Sequence, residues 1–273
     1  MNVEAVQKSV FRRGSRTYFN SSIFFPPAIR RDVYALYAFV RIVDDFVDTQ
    51  PQDPDGFYEF RRRYERGIAT GSPTGDPIID SFVALAIKRD FDPAWTTAFL
   101  RSMELDLTKR TYTTIEETLD YIYGSAEVIG LFMAKVLGLP EEALSSASMQ
   151  GRAMQYINFL RDIDEDCSLG RQYLPADETS LGDLRERTAR ENESEFRRFI
   201  ARQVDRYRDW QRQAESGYRF IPRRYLIPVK TASDMYNWTA DKIAENPFIV
   251  YRKKLKPTRP RIYRTVLANS LFA

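Results

Sequence analysis

The sequence contains no histidine, and Cys167 is its only cysteine. These absences exclude a Ser-His-Asp triad, a Cys-His pair, a histidine-ligated metal and an intramolecular disulfide. Any general base must be a carboxylate, a tyrosine, a lysine, an amine terminus or water. Any metal must be held mainly by oxygen, which selects hard cations such as Mg²⁺ or Mn²⁺. Charge of one sign is also scarce: 41 Lys and Arg against 38 Asp and Glu leave only +3, which implies no nucleic-acid partner. No run of about 18 uncharged apolar residues occurs, so no membrane-spanning helix is expected. The mixed polar start from Met1 to Lys8 lacks the apolar core of a signal peptide. Together with the lone cysteine, these features predict a cytoplasmic protein, with peripheral membrane contact left open.

Strand-like alternation is scarce too, and no Asn-Gly or Asp-Gly hairpin signal is present. Helix signals are better represented. Asp92-Pro93 reads as an N-cap followed by proline in the first turn, and Thr113-Thr-Ile-Glu116 reads as a capping box. Gly138 before Pro140-Glu141-Glu142 marks one helix ending and another beginning. Turn-rich loops are expected at Thr49–Gly56 and Gly67–Asp76, and a solvated amphipathic helical region at 183–215. With no repeat and no convincing linker, the economical reading is one all-α domain over 1–273.

Two segments break the apolar pattern in the same way. Val33 to Asp48 is apolar on every side, yet Tyr37, Arg41, Asp44 and Asp48 fall within roughly a 60° arc, with Asp45 beside it. Ala153 to Asp166 places Gln155, Asn158, Asp162 and Asp166 within roughly 80°, flanked by Arg161 and Glu165. A polar stripe on a buried helix must meet compensating charge or a wet cavity. An internal salt-bridge ladder from Arg41 to Asp44 or Asp45 would serve for one such helix. Two stripes facing each other would repel unless cations lie between them. Mg²⁺ uses a few carboxylates together with substrate phosphates, so the pattern implies diphosphate binding in an apolar cavity suited to a carbocation.

The stretch Arg31-Asp-Val-Tyr-Ala-Leu-Tyr-Ala-Phe-Val-Arg-Ile-Val-Asp-Asp-Phe-Val-Asp48 resembles the first aspartate-rich motif of squalene and phytoene synthases. Asn158-Phe-Leu-Arg-Asp-Ile-Asp-Glu-Asp166, followed by Gly170-Arg-Gln-Tyr-Leu-Pro175, is similar to their second motif. Weaker similarities at Gly14 to Tyr18, Met103 to Asp106, Tyr121 to Ala126 and from Tyr236 to Lys253 keep the family order. The resemblance implies an isoprenoid synthase fold, one helical domain around a central cavity. It also implies Mg²⁺-dependent head-to-head joining of two prenyl diphosphates through a cyclopropylcarbinyl diphosphate.

Carried onto matching positions, Asp44 and Asp48 would ligate metal with support from Asp45, and Asp162, Asp166 and Asn158 would form a second metal site. Tyr37, Arg41, Gln155 and Arg161 would position diphosphate or line the reaction centre, with Tyr121 and Tyr173 beside it. Ser15, Arg16 and Thr17 would form a phosphate-contacting flap, and Asp106, Tyr236 and Arg252 would complete substrate binding. The final proton would go to the departed diphosphate or to a tyrosine. A C20 substrate giving phytoene is favoured over farnesyl diphosphate, the substrate of squalene and dehydrosqualene synthases. NADPH enters only for a reductive squalene synthase. Head-to-tail elongases, terpene cyclases and a non-catalytic assembly protein are the remoter readings, and no obligate protein partner is expected.

Three positions depart from the family: Gly14 replaces a usual histidine, Glu127 a usual glycine, and Val40 a common cysteine. Glu127 either shapes the cavity or pairs with Lys135 or an arginine. The small ridge Ala126/Gly130/Ala134/Gly138 suits either close helix packing or room for a prenyl chain. Phe19, Phe24, Phe25, Phe132 and Phe159 read mostly as core, and Cys167 as a packing residue. Arg252 is expected to close over diphosphate, whereas the basic residues beyond Pro257 are assigned to solvent or an anionic membrane surface.

Overall fold

Proline in the first turn opens several helices of this chain. Asp53, Asp76 and Asp92 each stand directly before such a proline, and their carboxylates accept hydrogen bonds from Gly56, Ile78 with Ile79, and Ala94. A first-turn proline has no N–H to leave unpaired, while the aspartate satisfies donors further in. In the computed structural model, which describes residues 3–14, 19, 22–252 and 255–272, thirteen α-helices result among the described residues. They are α1 (Val3–Gly14), α2 (Pro27–Asp48), α3 (Pro54–Thr70), α4 (Pro77–Arg89), α5 (Pro93–Thr108), α6 (Ile115–Ile122) and α7 (Val128–Leu137). There follow α8 (Leu144–Arg161), α9 (Ile163–Ser168), α10 (Glu186–Glu191), α11 (Glu193–Glu215), α12 (Arg223–Glu245) and α13 (Arg259–Phe272). The only β-pairing among the described residues is a single parallel bridge between Thr111 and Gln172.

The sequence reading holds in outline and shifts in detail. The capping box lies one residue later than Thr113–Glu116: Thr114 accepts from Glu117 N, and the Glu117 carboxylate accepts from Thr113 N. The expected loop from Gly67 begins only after Thr70, because α3 runs on to a left-handed Gly71. The second polar segment is two helices rather than one. The chain leaves α8 at Asp162 (φ −103°, ψ 17°) and re-enters a helix in α9. Bonds from Asp162 N to Asn158 O and from Asp166 N to Asp162 O carry the i, i+4 register across the break, so the stripe survives.

Two apolar clusters hold the helices. One joins α1–α5 with α7 around Phe39, which stacks on Phe82 at 3.8 Å. The other joins α6 and α8–α12 around Tyr156, Phe199 and Tyr207. The 183–215 region is α10 and α11. Its outer face carries i, i+4 pairs such as Arg190–Glu186 and Arg197–Glu193, and its inner face buries Phe196, Phe199, Ile200 and Val204.

The small ridge is helix packing at Ala126 and Gly130, whereas Gly138 is the left-handed C-cap of α7 with open space around it. A Cβ at Gly130 would collide with the Ala147 carbonyl oxygen of α8, and one at Gly151 with the Ala126 carbonyl oxygen. Glu127 ends a single π-helical turn, Tyr123–Glu127, and is 2% exposed. Its partner is an arginine: Arg152 Nε lies 2.6 Å away and Ser148 Oγ also donates at 2.6 Å. Lys135 instead pairs with Glu141 and Asp90. Gly130→Ala should therefore destabilise the protein by about 1–3 kcal/mol in urea unfolding, the usual cost of overpacking. Wild-type stability combined with a shortened substrate preference would instead put the ridge on a ligand.

Candidate active site

A cavity of about 940 Å³ opens between the two clusters. It is lined from α2, α5, α8, α9 and α12, and Lys256 and Arg259, both exposed, mark a mouth where the lining reaches solvent beside Pro257. Such a volume is at the large end of small-molecule pockets, roughly 300–1,000 Å³. Both polar stripes reach it: Arg41, Asp44 and Asp48 from α2, and Gln155, Asn158, Arg161, Asp162, Glu165 and Asp166 from α8 and α9.

Between the stripes sits a buried polar knot. Asp106, in the last turn of α5 and 3% exposed, accepts from the Tyr173 hydroxyl on Oδ1 and the Tyr121 hydroxyl on Oδ2, both at 2.7 Å. Arg171, 6% exposed, donates to Asp48 Oδ1 at 3.2 Å, Val47 O at 3.0 Å and the Tyr173 hydroxyl at 3.3 Å. Backbone geometry puts these groups there. Gly170, at φ 68°, turns the chain after α9, and Arg171 N returns to Asp166 O. Gln172 then pairs on both sides with the 110–112 segment, Gln172 N to Arg110 O and Tyr112 N to Gln172 O. Arg171 and Tyr173 flank that bridge.

The electrostatics record the crowding. Burial, then the neighbouring Asp48, pushes Asp44 up to about 7 against the pull of Arg41. Burial, then Asp162, pushes Asp166 up to about 8 although Arg171 opposes it. Asp106 is raised to about 6 by burial despite its tyrosine partners. Asp106 contributes to the shifts of both Asp44 and Asp166, which ties the two stripes to one field. Burial raises Tyr121 and Tyr173 far above the usual phenol range, so both are proton donors to Asp106 and not bases.

The residues expected from the sequence are placed as follows. Arg41, Tyr121, Gln155, Arg161, Tyr173, Asp106, Tyr236, Asp44, Asp48, Asn158, Asp162 and Asp166 all line the cavity. Asp45 does not: it is bound to Arg41 at 2.5 Å, so the expected salt-bridge ladder exists, with Asp44 as its other arm at 2.9 Å. Tyr37 lies behind the wall, stacked on Phe11 at 4.0 Å. A Cβ at Gly14 would collide with the Tyr37 hydroxyl, so the space for a side chain at position 14 is filled by Tyr37. Arg252 is exposed and away from the lining, whereas Lys256, Arg259 and Ile262 are part of it. The expected boundary at Pro257 is thereby corrected: the first turn of α13 belongs to the cavity, because α13 folds back onto α12. Ser15, Arg16 and Thr17 lie outside the described residues.

Of the five singled-out phenylalanines, Phe159 lines the cavity, stacked face to face on Tyr173 at 4.5 Å. Phe25 and Phe132 are core. Cys167 packs against the second cluster, its thiol pushed up to about 11 by burial. Sequence reasoning assigned no role to Arg171, Phe99, Met103 or Ser125, all of which line the cavity. Arg171 was within reach, as the one cation inside the second motif's Gly-Arg-Gln-Tyr tail.

The donor set suits a hard cation. It is all oxygen, one carboxylate of each stripe, Asp44 and Asp166, is raised in pKa by burial, and Asn158 Oδ1 is buried with no hydrogen-bond partner among the described residues. Among the described residues no three acidic groups converge closely enough to hold a metal alone.

The comparisons agree with this architecture. Residues 11–262 match the squalene/phytoene synthase family, and the chain belongs to it. Its members make this a prenyltransferase-type enzyme. It is 28% identical to a 15-cis-phytoene synthase of Pantoea ananas over 94% of this chain and 87% of that protein. It is equally 28% identical to one of Synechococcus elongatus, covering 90% and 85%. In fold it is similar to a squalene synthase of Alicyclobacillus acidocaldarius, with a TM-score of 0.79, 24% identity and coverage of 90% and 94%. A dehydrosqualene synthase gives 0.81, 19%, 99% and 96%. No helix among the described residues is long and apolar enough to cross a membrane.

The raised carboxylates give a signed pH effect. A group whose pKa is higher folded than unfolded holds its proton better in the native state, so stability falls as pH rises between the two values. For Asp166 that window runs from its ordinary 3.8 to about 8. Asp166→Asn should flatten the fall in Tm of the metal-free protein between pH 5 and 8.5 and raise Tm most at pH 8.5. An unchanged or steeper fall would show that Asp166 carries no unneutralised charge.

Proposed function

We propose that the chain, acting as one domain over 1–273, is a Mg²⁺-dependent head-to-head prenyl synthase. It joins two geranylgeranyl diphosphates through a cyclopropylcarbinyl diphosphate to give phytoene. One observation carries the reading: two carboxylate stripes, each with its arginine, share a single cavity with Phe99, Met103 and Phe159. Charged groups would receive the diphosphates, and the apolar wall would hold the chains and keep water from a carbocation. Bound Mg²⁺ supplies Lewis-acid stabilisation of the departing phosphate oxygens. Asp44 and Asp48 would hold it on one side, and Asn158, Asp162 and Asp166 on the other.

The chain's own residues do the rest. Arg41 and Arg161 are each already bound to a carboxylate of their own stripe, so diphosphate can recruit them by exchanging one anion for another. Tyr121, Tyr173 and Phe159 form an aromatic wall of the cavity, with Phe159 stacked on Tyr173 at 4.5 Å, that would lie beside developing positive charge. The Tyr121 and Tyr173 hydroxyls are committed to Asp106, which leaves the departed diphosphate or Tyr236 to take the final proton. The C20 preference rests on the relatives named phytoene synthase, since the small ridge no longer supports it. The fold's likeness to a dehydrosqualene synthase keeps a C15 reading as the alternative. The working location is the cytoplasm.

Incubation with C15 and C20 diphosphates, with and without Mg²⁺ and NADPH, followed by mass analysis of products, tests the reading. A C40 hydrocarbon formed only with Mg²⁺ and without NADPH is expected. A C30 product from the C15 substrate alone would select the alternative. Asp48→Asn and Asp162→Asn should each lower turnover by about 100-fold or more while leaving the circular dichroism spectrum unchanged. Wild-type turnover in either variant would sink the two-stripe mechanism.

A further inference from the structure

Helix α13 has two faces with different work to do. Inward, Ile262 lines the cavity, and buried Asn269 donates to Thr231 Oγ1 at 3.2 Å and Asp234 Oδ2 at 2.8 Å on α12. Arg261 lies over the Trp238 ring at 4.9 Å. These contacts fix the helix and its rotation. Outward, Tyr263 is 69% exposed and Leu267 and Leu271 are each 63% exposed. Spaced at i, i+4 and i+8, they form one stripe about 80° wide, with Arg264 beside it and Arg259 and Arg261 on its flanks. Three of the seven large hydrophobic side chains exposed among the described residues thus sit together on one short helix, which scattered surface exposure does not produce.

We propose that this outer face docks on an anionic lipid bilayer, holding the cavity mouth at the level of the headgroups. Charge complementarity selects that occupant. From residue 246 to the end the sequence has no Asp or Glu, while seven Lys and Arg fall between 252 and 264. Cations around an apolar stripe can reach lipid phosphates while the stripe enters the acyl boundary. A second copy fits worse. It would oppose arginine to arginine, and three side chains fall well short of the roughly 800 Å² per partner of a standard interface. The same helix that meets lipid also forms the mouth through Arg259 and Ile262, so a ligand with a long apolar tail could pass between cavity and bilayer without crossing water. That last benefit rests on the proposed reaction; the docking does not.

Flotation with vesicles of about seven parts phosphatidylcholine to three parts phosphatidylglycerol tests the docking, with pure phosphatidylcholine as the control. The wild-type protein should float with the anionic vesicles at low salt and be released at about 0.5 M NaCl. Leu267→Glu combined with Leu271→Glu should weaken the partition by about tenfold or more, and Arg264→Glu should weaken it at low salt only. Both should retain the wild-type melting curve and turnover in detergent. Leu267→Ser provides a milder variant if the double change disturbs folding, and it should still weaken flotation. Wild-type protein that stays unbound would overturn the proposal, as would stripe variants that float like wild type. A stripe-dependent dimer in sedimentation, without vesicle binding, would assign the face to a second copy instead.

Discussion

Arg171 is the cation on which the arrangement of the cavity depends. Its guanidinium reaches Asp48 at the end of α2 and the Tyr173 hydroxyl, and it opposes the upward pull on both Asp106 and Asp166. Without it, the carboxylates of the two stripes and of α5 would meet with Arg41 and Arg161 as the counter-ions within the stripes and Lys256 and Arg259 elsewhere in the lining. Arg41 and Arg161 are spent within their own stripes. Only the Arg171 end of its pair with Asp48 is buried, and removing its acceptors would leave that guanidinium as a charge that is costly to bury. The sensible account of its presence is function: it keeps carboxylates close together that stability alone would keep apart.

The remainder of the molecule is consistent with that constraint. The close approach of α7 and α8 through Gly130 and Gly151 fixes α8, and hence Gln155 and Asn158, to the bundle without side chains that could yield. The Glu127–Arg152 pair lies in the same interface and is not part of the cavity lining. The break at Asp162 lets the second stripe bend while its hydrogen-bond register continues, which keeps Asp166 within reach of Arg171. Local devices that look like defects, a π-helical turn and a helix interruption, both lie beside the cavity.

Much of this was legible in the residues. The two stripes were visible because an apolar background makes each Asp at i, i+4 conspicuous, and the absence of histidine narrowed the chemistry to oxygen ligands. Helix starts were legible wherever Asp precedes Pro, since the cap is a local interaction. What sequence spacing could not show is which helix face meets which neighbour. The 126–138 ridge suited a ligand or a helix equally until Ala147 was found against Gly130. Arg171 acts through a loop whose position is set by pairing with residues 110–112, a contact between segments about sixty residues apart. The C-terminal boundary was misplaced for the same reason: charge alone marks a solvated tail, and only the docking of Asn269 on α12 brings Arg259 and Ile262 to the cavity.

The proposed chemistry requires that the cavity's carboxylates bind Mg²⁺ weakly alone and more tightly when phosphate oxygens complete its coordination. Calorimetric titration of Mg²⁺ into the metal-free protein, with and without inorganic pyrophosphate, tests that claim directly. Weak, unsaturated heats are expected with Mg²⁺ alone and saturable binding once pyrophosphate is present. Saturable Mg²⁺ binding that is indifferent to pyrophosphate would contradict it.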